Sequence, residues 1–183
     1  MALSLNKEDT IVALATPPGA GAIAVIRLSG NGSFQIADKI FSRKKSSKKL
    51  SEEKSHTIHF GNIQDEKETI DEVLVSIFHA PNSYTGEDVV EISCHGSAFI
   101  QQRIIQLAIK CGARLAREGE FTLRAFLNGK MDLSQAEAVA DIVSSDSESS
   151  LRLAMSQMRG GYSADIKKMR EELIHLASLI ELE

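Results

Sequence analysis

Between Asp9 and about Arg117, short β-branched runs alternate with turn residues. The segments IVALAT (11–16), AIAVIRLSG (22–30), HTIHFGNI (56–63), DEVLVSIFH (71–79) and DVVEISC (88–94) are bounded by Gly, Pro, Asn or Asp and predict strands. Two other segments carry apolar residues at helical spacing: SFQIADKIF (33–41) and SAFIQQRIIQLAIKCG (97–112). In the second, Phe99, Ile100, Ile104, Leu107 and Ala108 form one stripe, and Gly112 supplies a stop. The pattern implies an α+β architecture, a mixed sheet with covering helices, over residues 1–118.

From residue 119 to 183 the spacing is helical throughout, so an all-α segment is expected there. Gly119 and Gly129 are turn-type glycines that bracket a short run, with Phe121 and Phe126 available for burial and Arg124, Asn128 and Lys130 pointing elsewhere. Asp132 with Gln135, and Ser145 with Glu148, have the three-residue offset of capping boxes and mark two helix starts. Leu133, Ala136, Ala140 and Val143 line one face. Leu151, Met155, Met158, Tyr162, Ile166, Met169, Leu173, Leu176 and Ile180 continue a seam of threes and fours. Gly160 and Gly161 interrupt that seam, each at a cost of about 1 kcal/mol of helix stability relative to Ala, so a kink or close crossing is expected. Glu181 and Glu183 put negative charge where a helix end favours positive charge, which suggests a chain cut within a longer protein.

Composition narrows the function. With 183 residues, 43% of them hydrophobic, the chain can bury a substantial core, and a formal net charge of -4 argues against binding nucleic acid through its overall field. Any RNA contact is local. The lysine-rich run SRKKSSKKLSEEK (42–54) reads as a solvated loop; a phosphate-binding patch is the sharper alternative, without aromatics for base stacking. No apolar run is long enough to cross a bilayer, and MALSLNKEDT lacks a secretory pattern, so a cytoplasmic location is expected. Cys94 and Cys111 have no metal-type spacing and read as reduced thiols.

Several residues are candidates for binding chemistry. Arg27 follows the apolar run AIAVI and needs a partner, either a ligand or a neighbouring carboxylate. Strand alternation turns Glu91 to the face opposite Val90 and Ile92. Glu87 and Asp88 adjoin Gly86 and either compete with Glu91 or shape a turn. Tyr84 either lies against a ligand ring or fills the core edge. Arg124 and Asn128 either reach a ligand or tie their loop to the sheet. His95 reads as a hydrogen-bonded structural histidine. No nucleophile, base and orienting group assemble from order and spacing, and no metal pattern is present, so binding is favoured over catalysis.

Three motifs then carry a resemblance: DTIVALATPPGAGAIAVIRLSG (9–30), APNSYTGEDVVEISCHG (80–96) and GEFTLRAFLNGKMDLSQAEAV (119–139). In this order, across nearly the whole chain, they resemble the amino-terminal part of the MnmE (TrmE) family of tRNA-modification GTPases. SYTGEDVVE (83–91) is also similar to the folate-binding stretch of the glycine-cleavage T-protein. The resemblance implies a folate-binding and dimerisation domain over 1–118 and the first part of a helical domain over 119–183. Arg27, Glu91 and Lys130 are implied contacts of 5-formyl-tetrahydrofolate, with Tyr84, Glu87, Arg124 and Asn128 in second rank. A pterin offers an exocyclic amine and a ring N–H that one carboxylate can accept together, a role suited to Glu91. The folate, as the 5-formyl or 5,10-methylene form, is implied to supply one carbon for a 5-carboxymethylaminomethyl-type modification of the tRNA wobble uridine.

Implied partners of the intact protein are a second copy, the flavoprotein MnmG with FAD and NADH, and tRNA. GTP, potassium and magnesium belong to its GTPase domain. No GxxxxGK[ST] loop occurs in the chain, so GTP hydrolysis by that route is not expected of it. A competing reading is a non-catalytic dimerisation and assembly module that binds no folate.

Overall fold

Strand β2 (Ile23–Ser29) displays the alternation on which the domain rests. Ala24, Ile26 and Leu28 are buried on one face, while Val25 and Arg27 on the other stay partly open. These positions belong to a computed structural model of the chain that describes residues 9–43, 47–66 and 68–180, the side chains of 162–164 excepted. The expectations for Lys44, Lys45, the Tyr162 side chain, Glu181 and Glu183 lie outside the described residues.

The other strands are β1 (Ile11–Leu14), β3 (Phe41–Ser42), β4 (Thr57–Asp65), β5 (Glu68–Phe78), β6 (Val89–His95) and β7 (Arg114–Leu115). They form one mixed sheet in the order β3-β4-β5-β6-β2-β1-β7. All pairings are antiparallel except β1 with β7. Helices α1 (Ser33–Ile40) and α2 (Ala98–Lys110) cover one face. There Phe34, Ile36, Ile104 and Leu107 meet Ile26, Val75, Val90 and Ile92 in a single apolar core.

Two local expectations are corrected. Phe99 is 67% exposed and lies 5.9 Å from the Arg103 guanidinium, outside the buried stripe of α2. Gln101 is buried in its place and donates its amide to the Gly19 carbonyl at 3.2 Å. The run 42–54 is also more than a solvated loop. A one-turn 3-10 helix, Leu50–Glu52, buries Leu50, whose N–H donates to Asp38 Oδ1 at 2.8 Å. Arg43 and Lys48 both pair with Glu53, at 2.8 and 3.0 Å, which neutralises part of the expected cationic patch. Gly96 is required by close approach: a Cβ there would stand 2.3 Å from the Gly21 carbonyl oxygen.

The chain divides into two compact units, residues 1–124 and 125–183. Helix α3 (Glu120–Leu127) spans the boundary. The second unit holds α4 (Leu133–Ser144), α5 (Glu148–Met158) and α6 (Gly161–Ile180). Asp132 and Gln135 form the expected capping box, at 2.8 and 2.9 Å. Ser145 does not cap α5. It closes α4, and Ser147 caps α5 by accepting from the Ser150 N–H at 3.2 Å, because only Ser147 directly precedes the first helical residue. Gly160, at φ +81°, ends the run before α6 starts. Among the described residues Ala138 and Ala154 are the buried positions of α4 and α5, whereas Leu133, Ala140 and Val143 are exposed.

Candidate ligand site on the uncovered sheet face

Residues directly opposite on neighbouring strands share a face. The register places Arg27 opposite Glu91, and Glu91 opposite Ser76, on the face that α1 and α2 leave uncovered. Val90 and Ile92 point into the core, so Glu91 turns away from them. Arg27 donates its Nε–H to Glu91 Oε1 at 2.8 Å, its Nη2 forms an ion pair with the same oxygen at 2.8 Å, and about a quarter of each side chain is exposed. Two rings flank the guanidinium, with its carbon 5.2 Å from the Tyr84 centroid and 5.4 Å from that of Phe121. The Tyr84 hydroxyl is hydrogen-bonded to that of Thr122 at 2.9 Å, which fixes the ring on the first turn of α3.

Behind this pair lies a second, buried constellation. Glu87 accepts from the Ser29 hydroxyl at 2.7 Å and from Arg124 Nη1 at 3.1 and 3.2 Å. Ser29 thereby uses its only hydrogen, leaving the Thr85 hydroxyl to donate to Ser29 Oγ at 2.7 Å. Arg124 also donates to the Asp9 carbonyl at 2.8 Å and approaches Glu120 at 3.4 Å. Glu120 accepts from Arg114 at 2.5 and 2.9 Å and from the Arg117 N–H at 2.9 Å, and Arg114 reaches Asp9 at 3.1 Å. Bonding from Arg114 holds the Glu120 carboxyl far below its ordinary 4.5, at about 2, and raises the Arg114 pKa in return. No buried side-chain polar atom among the described residues lacks a partner.

This arrangement corrects the sequence reading of α3. Arg124 does not point away from the fold: it is 4% exposed and, with Glu120 one turn earlier, forms the buried side of the helix. Phe121 and Phe126, expected to bury, are only half-buried. Glu87 and Arg124 use their bonding capacity on each other and on Ser29, the Asp9 carbonyl and Glu120. Asp88 shapes that loop, its Oδ1 accepting from the Ala80 N–H at 2.9 Å. Asn128 and Lys130 are exposed residues of the second unit, where Gly129 at φ +70° turns the chain and the Lys130 N–H bonds to the Ala125 carbonyl at 2.9 Å. His95 is held by a buried carboxylate, Asp71, through Nδ1 at 2.7 Å and its own N–H at 2.8 Å.

Residues 10–130 match the family model described as GTP-binding protein TrmE N-terminus. The chain belongs to the TrmE family. Residues 133–183 match a second model, the MnmE helical domain. The chain is 64% identical over 176 residues to a tRNA modification GTPase MnmE of Flavobacterium johnsoniae, 63% over 176 residues to that of Flavobacterium psychrophilum and 62% over 179 residues to that of Christiangramia forsetii. These matches cover 96%, 96% and 98% of the chain, which spans 38% of the length of each relative.

Sequence reasoning missed Glu120, Arg114 and Phe121 as neighbours of the site. The four-residue spacing of Glu120 and Arg124 was an available signal for an intrahelical ion pair. Among the described residues no group of three or more metal-binding side chains comes together, and no helix is long and apolar enough to cross a membrane.

Proposed function

We propose that this chain is the folate-binding part of a tRNA-modification GTPase, with the Arg27–Glu91 pair at the heart of a site for a reduced folate. The observation that carries the reading is a partly exposed carboxylate, Glu91, held in one orientation by a guanidinium and set beside the Tyr84 and Phe121 rings. Those residues fit a pterin: a fixed acceptor for ring N–H groups, and aromatic walls around a planar heterocycle. Glu87 and Arg124 position the loop that carries Tyr84. Lys130, as an ammonium on a flexible stem, is assigned to a carbonyl, formyl or carboxylate oxygen of the same ligand.

The folate, as the 5-formyl or 5,10-methylene derivative, brings a one-carbon unit for modifying the tRNA wobble uridine; the protein's part is to bind and orient it. GTP hydrolysis with potassium and magnesium, and work with the MnmG flavoprotein on tRNA in the cytoplasm, are proposed for a longer protein of the kind the relatives' names describe. A homodimer through the sheet unit is part of this reading. Ile58, Phe60 and Leu74, exposed on the same uncovered face, favour it.

Titration calorimetry of the chain with 5-formyl-tetrahydrofolate tests the proposal. Saturable binding is expected, lost in Glu91→Ala while the oligomeric state is unchanged. A folded chain that shows no heat of binding at millimolar ligand would falsify the folate reading and leave the assembly module standing.

A further inference from the structure

Asp71 is a carboxylate withdrawn from solvent, 9% exposed, and two of its three hydrogen bonds serve one residue. It accepts the His95 main-chain N–H at 2.8 Å and meets His95 Nδ1 at 2.7 Å, while the Glu72 N–H supplies the third bond at 2.9 Å. An ionised carboxylate only accepts, so Nδ1 carries the hydrogen and Nε2 keeps its lone pair. The His95 side chain is 70% exposed, and among the described residues nothing is hydrogen-bonded to Nε2. The backbone beside the ring is fixed as well: the Gly21 N–H donates to the Gly96 carbonyl at 2.9 Å and the Gly96 N–H to that of Ala22 at 3.2 Å. No other described histidine is hydrogen-bonded to a carboxylate; His79 comes within 4.0 Å of Asp88 and donates to the Glu53 carbonyl. A histidine that served packing alone would bury its ring. Here the acid is buried and the basic nitrogen is open to solvent, with the exposed Ile23 directly across on β2.

We propose that His95 is a nucleophilic site that takes acyl groups from activated donors, such as active esters and acyl phosphates, with Asp71 as its positioning residue. The Nε2 lone pair forms a bond to the donor's carbonyl carbon, and the bond from that carbon to the leaving oxygen breaks, the oxygen departing with the electron pair. The ring is then an acylated cation that still holds its hydrogen at Nδ1. Passing that hydrogen to Asp71 Oδ1 gives the neutral acylimidazole, a transfer for which the 2.7 Å contact is already in place. Water then cleaves the acylimidazole to the carboxylic acid and free His95, and Asp71 gives its proton to solvent. An isolated imidazole has neither the fixed orientation nor the neighbouring proton acceptor. This activity is independent of folate binding.

Hydrolysis of p-nitrophenyl acetate by the full chain at pH 8, followed as release of p-nitrophenolate, is the test. The rate per chain is expected to exceed that of 4-methylimidazole at the same concentration by about 10-fold. In His95→Gln the excess is expected to vanish, leaving the slow background of the other histidines. In Asp71→Asn the rate is expected to fall toward that of free imidazole while the far-UV circular dichroism is retained, since a carboxamide holds the ring and takes no proton. Should Asp71→Asn not fold, long-range proton–nitrogen NMR of the unaltered chain replaces it: hydrogen on Nδ1 of His95 is expected, and hydrogen on Nε2 overturns the proposal. A chain no faster than free imidazole, a His95→Gln chain as fast as the parent, or a folded Asp71→Asn chain with an undiminished rate overturns it equally.

Discussion

Replacing Glu120 by Gln removes one negative charge from the buried constellation while preserving side-chain shape, so its effect isolates the charge. A carboxyl whose pKa falls from 4.5 to about 2 favours its charged form in the folded chain by on the order of 3 kcal/mol. Glu120 is 2% exposed, but the side chain of its main partner, Arg114, is 34% exposed, so solvent screening takes part of that figure. Because the folded pKa is the lower one, this stability is fully present above pH 4.5 and is lost as the pH falls toward about 2. Urea unfolding of both proteins, followed by far-UV circular dichroism, is expected to show a gap of about 2–3 kcal/mol at pH 7 that shrinks to about half by pH 3. A gap below about 1 kcal/mol at pH 7, or one of equal size at the two pH values, would mean that Glu120 is not held by its arginines in the way described.

Two further substitutions or reactions probe the sheet. Gly96→Ala forces a methyl within 2.3 Å of the Gly21 carbonyl oxygen and is expected to lower stability by about 1–3 kcal/mol, read as a fall in Tm; an unchanged Tm would contradict the close approach. Burial pushes the Cys94 thiol up to about 11, whereas Cys111 is half-buried. A disulfide reagent at pH 8 is therefore expected to modify Cys111 first and Cys94 only as the chain unfolds. Equal rates for both thiols in the folded chain would count against the core placement of Cys94.

The long strands were legible because alternation is local: IAVIRLS and VVEISC announce which side of the sheet each residue faces, Glu91 included. What was not legible is which residue lies across from Glu91, since that depends on pairing between positions 64 apart. The two-residue strands Phe41–Ser42 and Arg114–Leu115 have no local signature and exist because neighbouring edges accept them. On α3 the hydrophobic rule pointed to Phe121 and Phe126, while the helix buries Glu120 and Arg124. Burial of a charge is decided by distant partners, here Glu87, Arg114 and Asp9, and a single segment read by itself cannot display them. At α5 the offset of Ser145 and Glu148 was a capping pattern displaced by two residues from the true start at Ser147.

The charged underside of α3 has one more consequence. An oily seam tolerates a small roll of a helix about its axis, since greasy contacts have little directionality. Forked guanidinium groups clasping carboxylates do not, because a modest rotation breaks several directional bonds at once. Successive residues of a helix stand about 100° apart around its axis, so once Glu120 is clasped, the azimuth of the neighbouring Phe121 is set as well. The ring beside Arg27 is thus delivered by a clamp about a quarter-turn away around the same helix, and loosening that clamp blurs the wall beside Arg27 before it unfolds the domain.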